Sequence, residues 1–202
     1  MDIAADLIRR VTDIRRDLHA HPEVGYEEHR TSEVISRELQ DLGVEHVTGL
    51  AGGTGVLGWL PGGTGGDAIG LRADIDALPI TEETNARWAS TIPGLMHACG
   101  HDGHTAILLG TARQLADIAA KDGLDRPVVF IFQPAEEGGG GGKRMVADGV
   151  LDGTVSPYRV ERIYGLHGWP QAPAGTAGTR PGPLLAASDR FQIEIEGEGS
   201  HA

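Results

Sequence analysis

The stretch Met96-His97-Ala98-Cys99-Gly100-His101-Asp102-Gly103-His104-Thr105 gathers the chain's one cysteine and three of its nine histidines. A thiolate, imidazoles and a carboxylate this close together suit a transition-metal site. Cys99 and His101 cannot share one face of a helix, but a tight turn at Gly100 lets their side chains converge. A buried free cysteine beside surface histidines is the simpler alternative. The residues that follow other apolar runs favour the metal.

Two carboxylates, Asp74 and Asp76, end the run Ile69-Gly70-Leu71-Arg72-Ala73-Asp74-Ile75-Asp76 on one side of an extended backbone. Open α/β sheets place their chemistry at such strand ends. A carboxylate there can orient a metal-binding histidine; an ordinary acidic turn is the alternative. The apolar run Pro127 to Phe132 leads into Gln133-Pro134-Ala135-Glu136-Glu137. Adjacent glutamates point in different directions, so one can ligate a metal while its neighbour serves as general base. Val160 to Leu166 then delivers His167. Strand followed by candidate ligand, repeated along the chain, argues for one shared site.

The elements that must position these residues follow from periodicity. Leu7, Ile8, Val11, Ile14 and Leu18 form the stripe of an amphipathic helix over residues 4–18, ended by His19-Ala20-His21-Pro22. His19 and His21 are expected to cap that helix end or line a cleft entrance rather than bind metal. A second helix is predicted over 27–42, stopped by Gly43, and a third over 106–120. Residues 44–47, 55–60, 68–72, 127–132 and 160–166 read as strands, and 143–147 as a short helix. Gly52-Gly53-Thr54-Gly55 lacks both the Gly-Lys-Ser/Thr and the Gly-x-Gly-x-x-Gly contexts of nucleotide loops. The fold class is therefore α/β, a mostly parallel or mixed sheet flanked by helices.

Composition excludes other functions. The formal net charge of −12 leaves no phosphate-neutralising patch for nucleic acid. No apolar run approaches a membrane span, and the acidic start lacks a signal core. A soluble cytoplasmic protein is expected. The 31 glycines gather between strand-like runs, as in loops that approach a ligand closely or in a sequence that is merely loop-rich. Phe191, Ile193 and Ile195 alternate with Gln192, Glu194 and Glu196, a strand wet on one face. That change of pattern places a boundary near residue 186: a catalytic domain over 1–185, and the start of a second domain over 186–202.

Taken together, the sequence resembles the M20 metallopeptidase family, in particular its amidohydrolase/aminoacylase branch of hippurate, N-acyl-amino-acid and auxin-conjugate hydrolases. The resemblance is carried in order by Arg16-Asp17-Leu18-His19-Ala20-His21-Pro22-Glu23, Leu71 to Pro79, Met96 to Thr105, Phe132 to Gly138, Gly165-Leu166-His167 and Leu185 to Phe191. It implies a zinc-peptidase-like catalytic domain with one or two divalent ions (zinc, manganese, nickel or cobalt). It also implies Cys99, His101, Glu137 and His167 as ligands, Glu136 as the general base, and Asp76 as the acid supporting the first metal segment. His104 is expected to support the site or the fold.

His201, in Gly197-Glu198-Gly199-Ser200-His201-Ala202, resembles a lid-domain histidine that reaches a partner subunit's site, implying a homodimer through the lid. Ser200 stands where the family usually has glycine. Family members are longer, and a further histidine ligand is expected beyond these residues. The implied reaction is metal-dependent hydrolysis of the amide of an N-acyl amino acid. A dipeptidase or carboxypeptidase of the same family, or a metal-binding fragment without turnover, are the alternatives.

Overall fold

The computed structural model describes residues 5–63, 66–186 and 191–199. They divide into two units, Met1–Gly168 and Trp169–Ala202.

The first unit carries every regular element, in the order α1 (Ala5–Ala20), α2 (His29–Asp41), β1 (Glu45–Leu50), β2 (Gly55–Leu60), β3 (Ala68–Asp74), α3 (His101–Asp122), β4 (Val128–Gln133), α4 (Gly141–Ala147) and β5 (Val160–Gly165). The strands form one mixed sheet in the order β1-β2-β4-β3-β5. β1 and β2 pair antiparallel, as do β2 and β4, whereas β4, β3 and β5 run parallel. This is the expected α/β class.

Period-two alternation explains why β4 is central. Val128, Phe130 and Phe132 face one core with residues of α1, α2 and α3, such as Leu18, Ile35 and Leu109. Val129 and Ile131 face the other with Leu57, Trp59 and Met145. Both strand faces are thus apolar, giving the continuous hydrophobic run of a doubly covered strand. Phe130 and Phe132 are fully buried, and each such side chain contributes roughly 1.5–3 kcal/mol. α1 crosses α3 closely at Gly110, where a Cβ would lie 2.6 Å from Val11 Cγ2.

Parallel strands end on the same edge of a sheet. Asp74 of β3 is in register with Gln133 of β4, and Arg72 of β3 with Gly165 of β5. The segments bearing Asp76, Glu136, Glu137 and His167 therefore leave one edge, where α3 also begins.

Two expectations differ from the structure. α3 starts at His101, five residues before the predicted 106, because its first turn buries polar groups that hydrophobic periodicity does not register. In the second unit, residues 191–199 form no strand, and Phe191, Ile193 and Ile195 are 83, 73 and 88% exposed. Alternation alone does not make a strand without a partner for its backbone. The division after Gly168 precedes the expected boundary at residue 186; Pro170, Pro173, Pro181 and Pro183 follow it in a segment whose described backbone hydrogen bonds are turns. Among the described residues no helix is long and apolar enough to cross a membrane.

Candidate metal centre

Gly100 adopts φ +87 as the residue before α3, a left-handed conformation that glycine takes without steric penalty. The turn carries Cys99 out of the helix and leaves His101 in its first turn. Donor atoms of Cys99, His101 and Glu137 all lie within 4.8 Å of one another. Cys99 Sγ is also 3.4 Å from His167 Nε2. The residues implied as ligands from the sequence therefore converge, with Gly100 as the hinge that permits it.

The hydrogen bonds of each imidazole decide which nitrogen is free. His101 is fully buried, and its Nδ1 lies 2.9 Å from Asp76 O and 3.1 Å from Asp76 Oδ1. Both are acceptors, so Nδ1 carries the proton and Nε2 keeps its lone pair. That Nε2 is buried without a hydrogen-bond partner among the described residues. It points among acids, 3.6 Å from Asp74 Oδ2 and 3.9 Å from Glu137 Oε1. His167 follows the same logic: Nδ1 donates to Gly168 O at 2.8 Å, which leaves Nε2 toward Cys99.

His104 is different. Its Nδ1 donates to Asp74 Oδ1 at 2.6 Å, and its Nε2 accepts the Gly168 N–H at 2.8 Å. Asp74 is further held by Arg72 Nη1 at 2.7 Å, and Arg72 Nε by Gln133 Oε1 at 3.0 Å. Asp74, His101, His104 and His167 also bring donor atoms within 4.8 Å, but both ring nitrogens of His104 are already engaged. Cys99, His101 and Glu137, with His167 Nε2 beside the Cys99 sulfur, thus keep donor atoms that could hold a cation, and His104 ties the His167 segment to Asp74.

Charge fits this division. Burial opposes ionisation of Asp74, but the His104 hydrogen bond and the Arg72 charge outweigh it and hold its carboxyl at about 2. For Asp76, the bonds from His101 and from the Glu137 N–H (2.9 Å to Oδ2) likewise overcome burial and lower its pKa. Burial disfavours the charged His101, but Asp76 and Asp74 prevail and raise it. Burial, then the Glu137 carboxylate, push the Cys99 thiol up to about 12. An acid-rich pocket around a buried imidazole nitrogen that has no hydrogen-bond partner among the described residues favours added positive charge. A divalent ion fits it: a thiol able to ionise on binding, two imidazoles with presented lone pairs, and a carboxylate.

Glu136 is exposed, and its charge acts on both Cys99 and His101. It thus stands beside the cluster while Glu137 enters it. His201 lies outside the described residues. His21 Nδ1 donates to Asp17 O at 2.8 Å and caps the end of α1, as expected. His19 is instead buried, 2.7 Å from Asp102 Oδ2 and 3.2 Å from Glu82 Oε1.

A model of the peptidase family M20/M25/M40 matches residues 70–202. The chain belongs to the M20 family. Among its M20-like relatives, an N-acetylcysteine deacetylase of Bacillus subtilis is 46% identical over 193 residues, 96% of this chain and 49% of that protein. Thermostable carboxypeptidase 1 of Saccharolobus solfataricus is 40% identical over 210 residues, 100% of this chain and 51% of that protein. The structure of the B. subtilis YxeP protein, described as a dinuclear metal-binding peptidase of the M20 family, superposes with a TM-score of 0.82 at 43% identity, over 90% of this chain and 49% of that one. The chain spans about half the length of the curated relatives it matches.

One buried carboxylate near the site lies outside the residues that the sequence singles out. Glu28, taken only as part of a helix start, is wholly buried and bonded to the turn before Glu136. His97 is 4% exposed with neither ring nitrogen partnered among the described residues, and burial lowers its pKa to about 4. A glutamate at a helix start ordinarily faces water, so only a three-dimensional contact marks Glu28.

Proposed function

We propose that the protein is a metal-dependent hydrolase that cleaves the amide bond of N-acyl amino acids, with Cys99, His101, Glu137 and His167 holding one or two divalent ions. The observation that carries this reading is the buried, unpartnered His101 Nε2 beside Cys99 and Glu137, with Glu136 exposed next to them. A structural metal site closed by protein ligands has no use for an exposed carboxylate poised alongside. Relatives named as N-acetylcysteine deacetylases support the substrate class.

When bound, a divalent ion supplies Lewis acidity, acidifying water and polarising the acyl oxygen. The protein's own residues do the rest. Asp76 holds His101 in the Nδ1–H tautomer and fixes the Glu137 backbone. Glu136 removes a proton from the attacking water and returns it to the departing amine. His201 is assigned to the developing oxyanion, supplied across a homodimer.

The relative named as a carboxypeptidase favours a related second reading. The C-terminal residue of a peptide is itself an N-acylated amino acid, so one site suits both reactions. Turnover of N-acetyl and N-benzoyl amino acids against N-blocked dipeptides, measured with the metal-loaded protein, separates them. Hydrolysis of neither class with metal bound, or equal turnover by Glu136→Gln, overturns the proposal.

A further inference from the structure

Glu28 is a carboxylate with no exposed surface, at the entry to α2. Burying a carboxylate without a cationic partner is unfavourable unless its oxygens are well bonded. Its bonds are specific: Thr54 Oγ1 donates to Oε2 at 2.7 Å, and the Ala135 N–H donates to Oε1 at 2.9 Å. Thr54 immediately precedes β2, and Ala135 lies in the turn after β4. One side chain therefore ties the start of α2 and the lead-in to β2 to the segment that carries Glu136 and Glu137.

Ala135 needs holding. It has φ +49, in the left-handed region that L-residues seldom adopt. Its surroundings leave little choice of position: a Cβ on Gly25 would come within 3.0 Å of Ala135, and one on Gly139 within 2.6 Å of the Ala135 Cβ. Ala135 O accepts the Gly141 N–H at 3.2 Å. Beyond it, the Glu137 N–H is held by Asp76 Oδ2 at 2.9 Å. The two-residue step from Ala135 to Glu137 is thus clamped at both ends by buried carboxylates, and Glu136 lies between the clamps.

We propose that Glu28 is a positioning residue for the Glu136–Glu137 pair: by holding the Ala135 N–H it fixes the left-handed turn and so sets where both glutamates point. The inference rests on the roles given to those glutamates above. Glu28 touches neither substrate nor ion and acts only through the Ala135 backbone.

The test compares Glu28→Ala and Glu28→Gln in the intact protein. Three readouts are taken: amide hydrogen exchange of the 134–141 segment, the visible spectrum after cobalt(II) loading, and kcat with KM on an N-acetyl amino acid. Glu28→Ala is expected to speed exchange in 134–141 and alter the cobalt d–d bands through Glu137, while the Cys99 thiolate-to-cobalt band persists. Its kcat is expected to fall about 100-fold, the usual effect of a displacement near 1 Å, with KM little changed. Glu28→Gln keeps a carbonyl acceptor for Ala135 and an amide donor for Thr54, and should match the parent in all three.

A folded Glu28→Ala with parental exchange and cobalt spectrum overturns the proposal. Should Glu28→Ala not fold, Glu28→Gln decides: a folded glutamine variant with fast exchange in 134–141 or altered d–d bands overturns it, and parental behaviour supports it. Failure of the catalytic reading registers elsewhere, as full turnover by Glu136→Gln, and leaves the exchange result unaffected.

Discussion

Asp76 Oδ1 lies 3.1 Å from His101 Nδ1 while its Oδ2 accepts the Glu137 N–H at 2.9 Å. One carboxylate thus sets the tautomer of a proposed ligand and the backbone of another. Both oxygens are engaged in holding the residues proposed as ligands. Asp76→Ala is therefore expected to weaken metal affinity by about 10–100-fold, the usual effect of removing such a support, with the four ligands intact. Competition with a chelating dye measures it. Unchanged affinity would show that His101 and Glu137 are fixed by other contacts.

The Cys99 thiol, pushed up to about 12 by burial and by Glu137, is protonated at neutral pH until a cation displaces its proton. Metal binding should release that proton, so apparent affinity should rise about tenfold per pH unit through the neutral range on this account alone. Cys99→Ala should lower the affinity and reduce the slope of log affinity against pH by one. Isothermal titration in buffers of different ionisation enthalpy counts the protons directly. A variant with the parent's slope would remove Cys99 from the ligand set.

His104 joins Asp74 to the Gly168 N–H through its two ring nitrogens. His104→Phe keeps the ring volume but strands a buried Asp74 oxygen, worth roughly 1–3 kcal/mol, and releases the N–H of the exposed Gly168 to water. A loss of about 2 kcal/mol corresponds to a Tm lower by roughly 4–8 °C for a chain of this size. Metal affinity should also fall, because His167 is adjacent to the released Gly168. A variant that keeps its affinity while losing stability would confine His104 to the fold.

The parts of this site legible in the sequence are those that arrive by a repeated rule. Asp76, Glu136, Glu137 and His167 each follow an apolar strand run, and β3, β4 and β5 are parallel, so their ends share an edge. Gly100 was readable because the spacing of Cys99 and His101 demands a turn. The buried polar partners were not readable. Glu28 bonds Ala135 across 107 positions of sequence and His19 bonds Asp102 across 83, and a polar residue bonded at such distance looks like any surface residue in a local window. The same blindness moved the start of α3, whose first turn buries His101, Asp102, His104 and Thr105. At residues 191–195 the pattern promises a strand, but among the described residues the backbone has no partner to make one.

Burial raises the Glu28 pKa above its ordinary 4.5, partly countered by the bonds from Thr54 and Ala135. The folded state then holds this proton more tightly than the unfolded chain. The associated stability is fully present below pH 4.5 and is lost as pH rises through the folded value. Glu28→Gln cannot ionise and keeps the same shape and acceptor. Its Tm should equal the parent's in acid and exceed it increasingly as pH rises toward neutrality, at matched metal content. Thermal unfolding across that range by circular dichroism tests this. A difference that is constant with pH would mean that the fold leaves the Glu28 pKa unshifted, and one that favours the parent at neutral pH would mean that its bonds to Ala135 and Thr54 outweigh its burial.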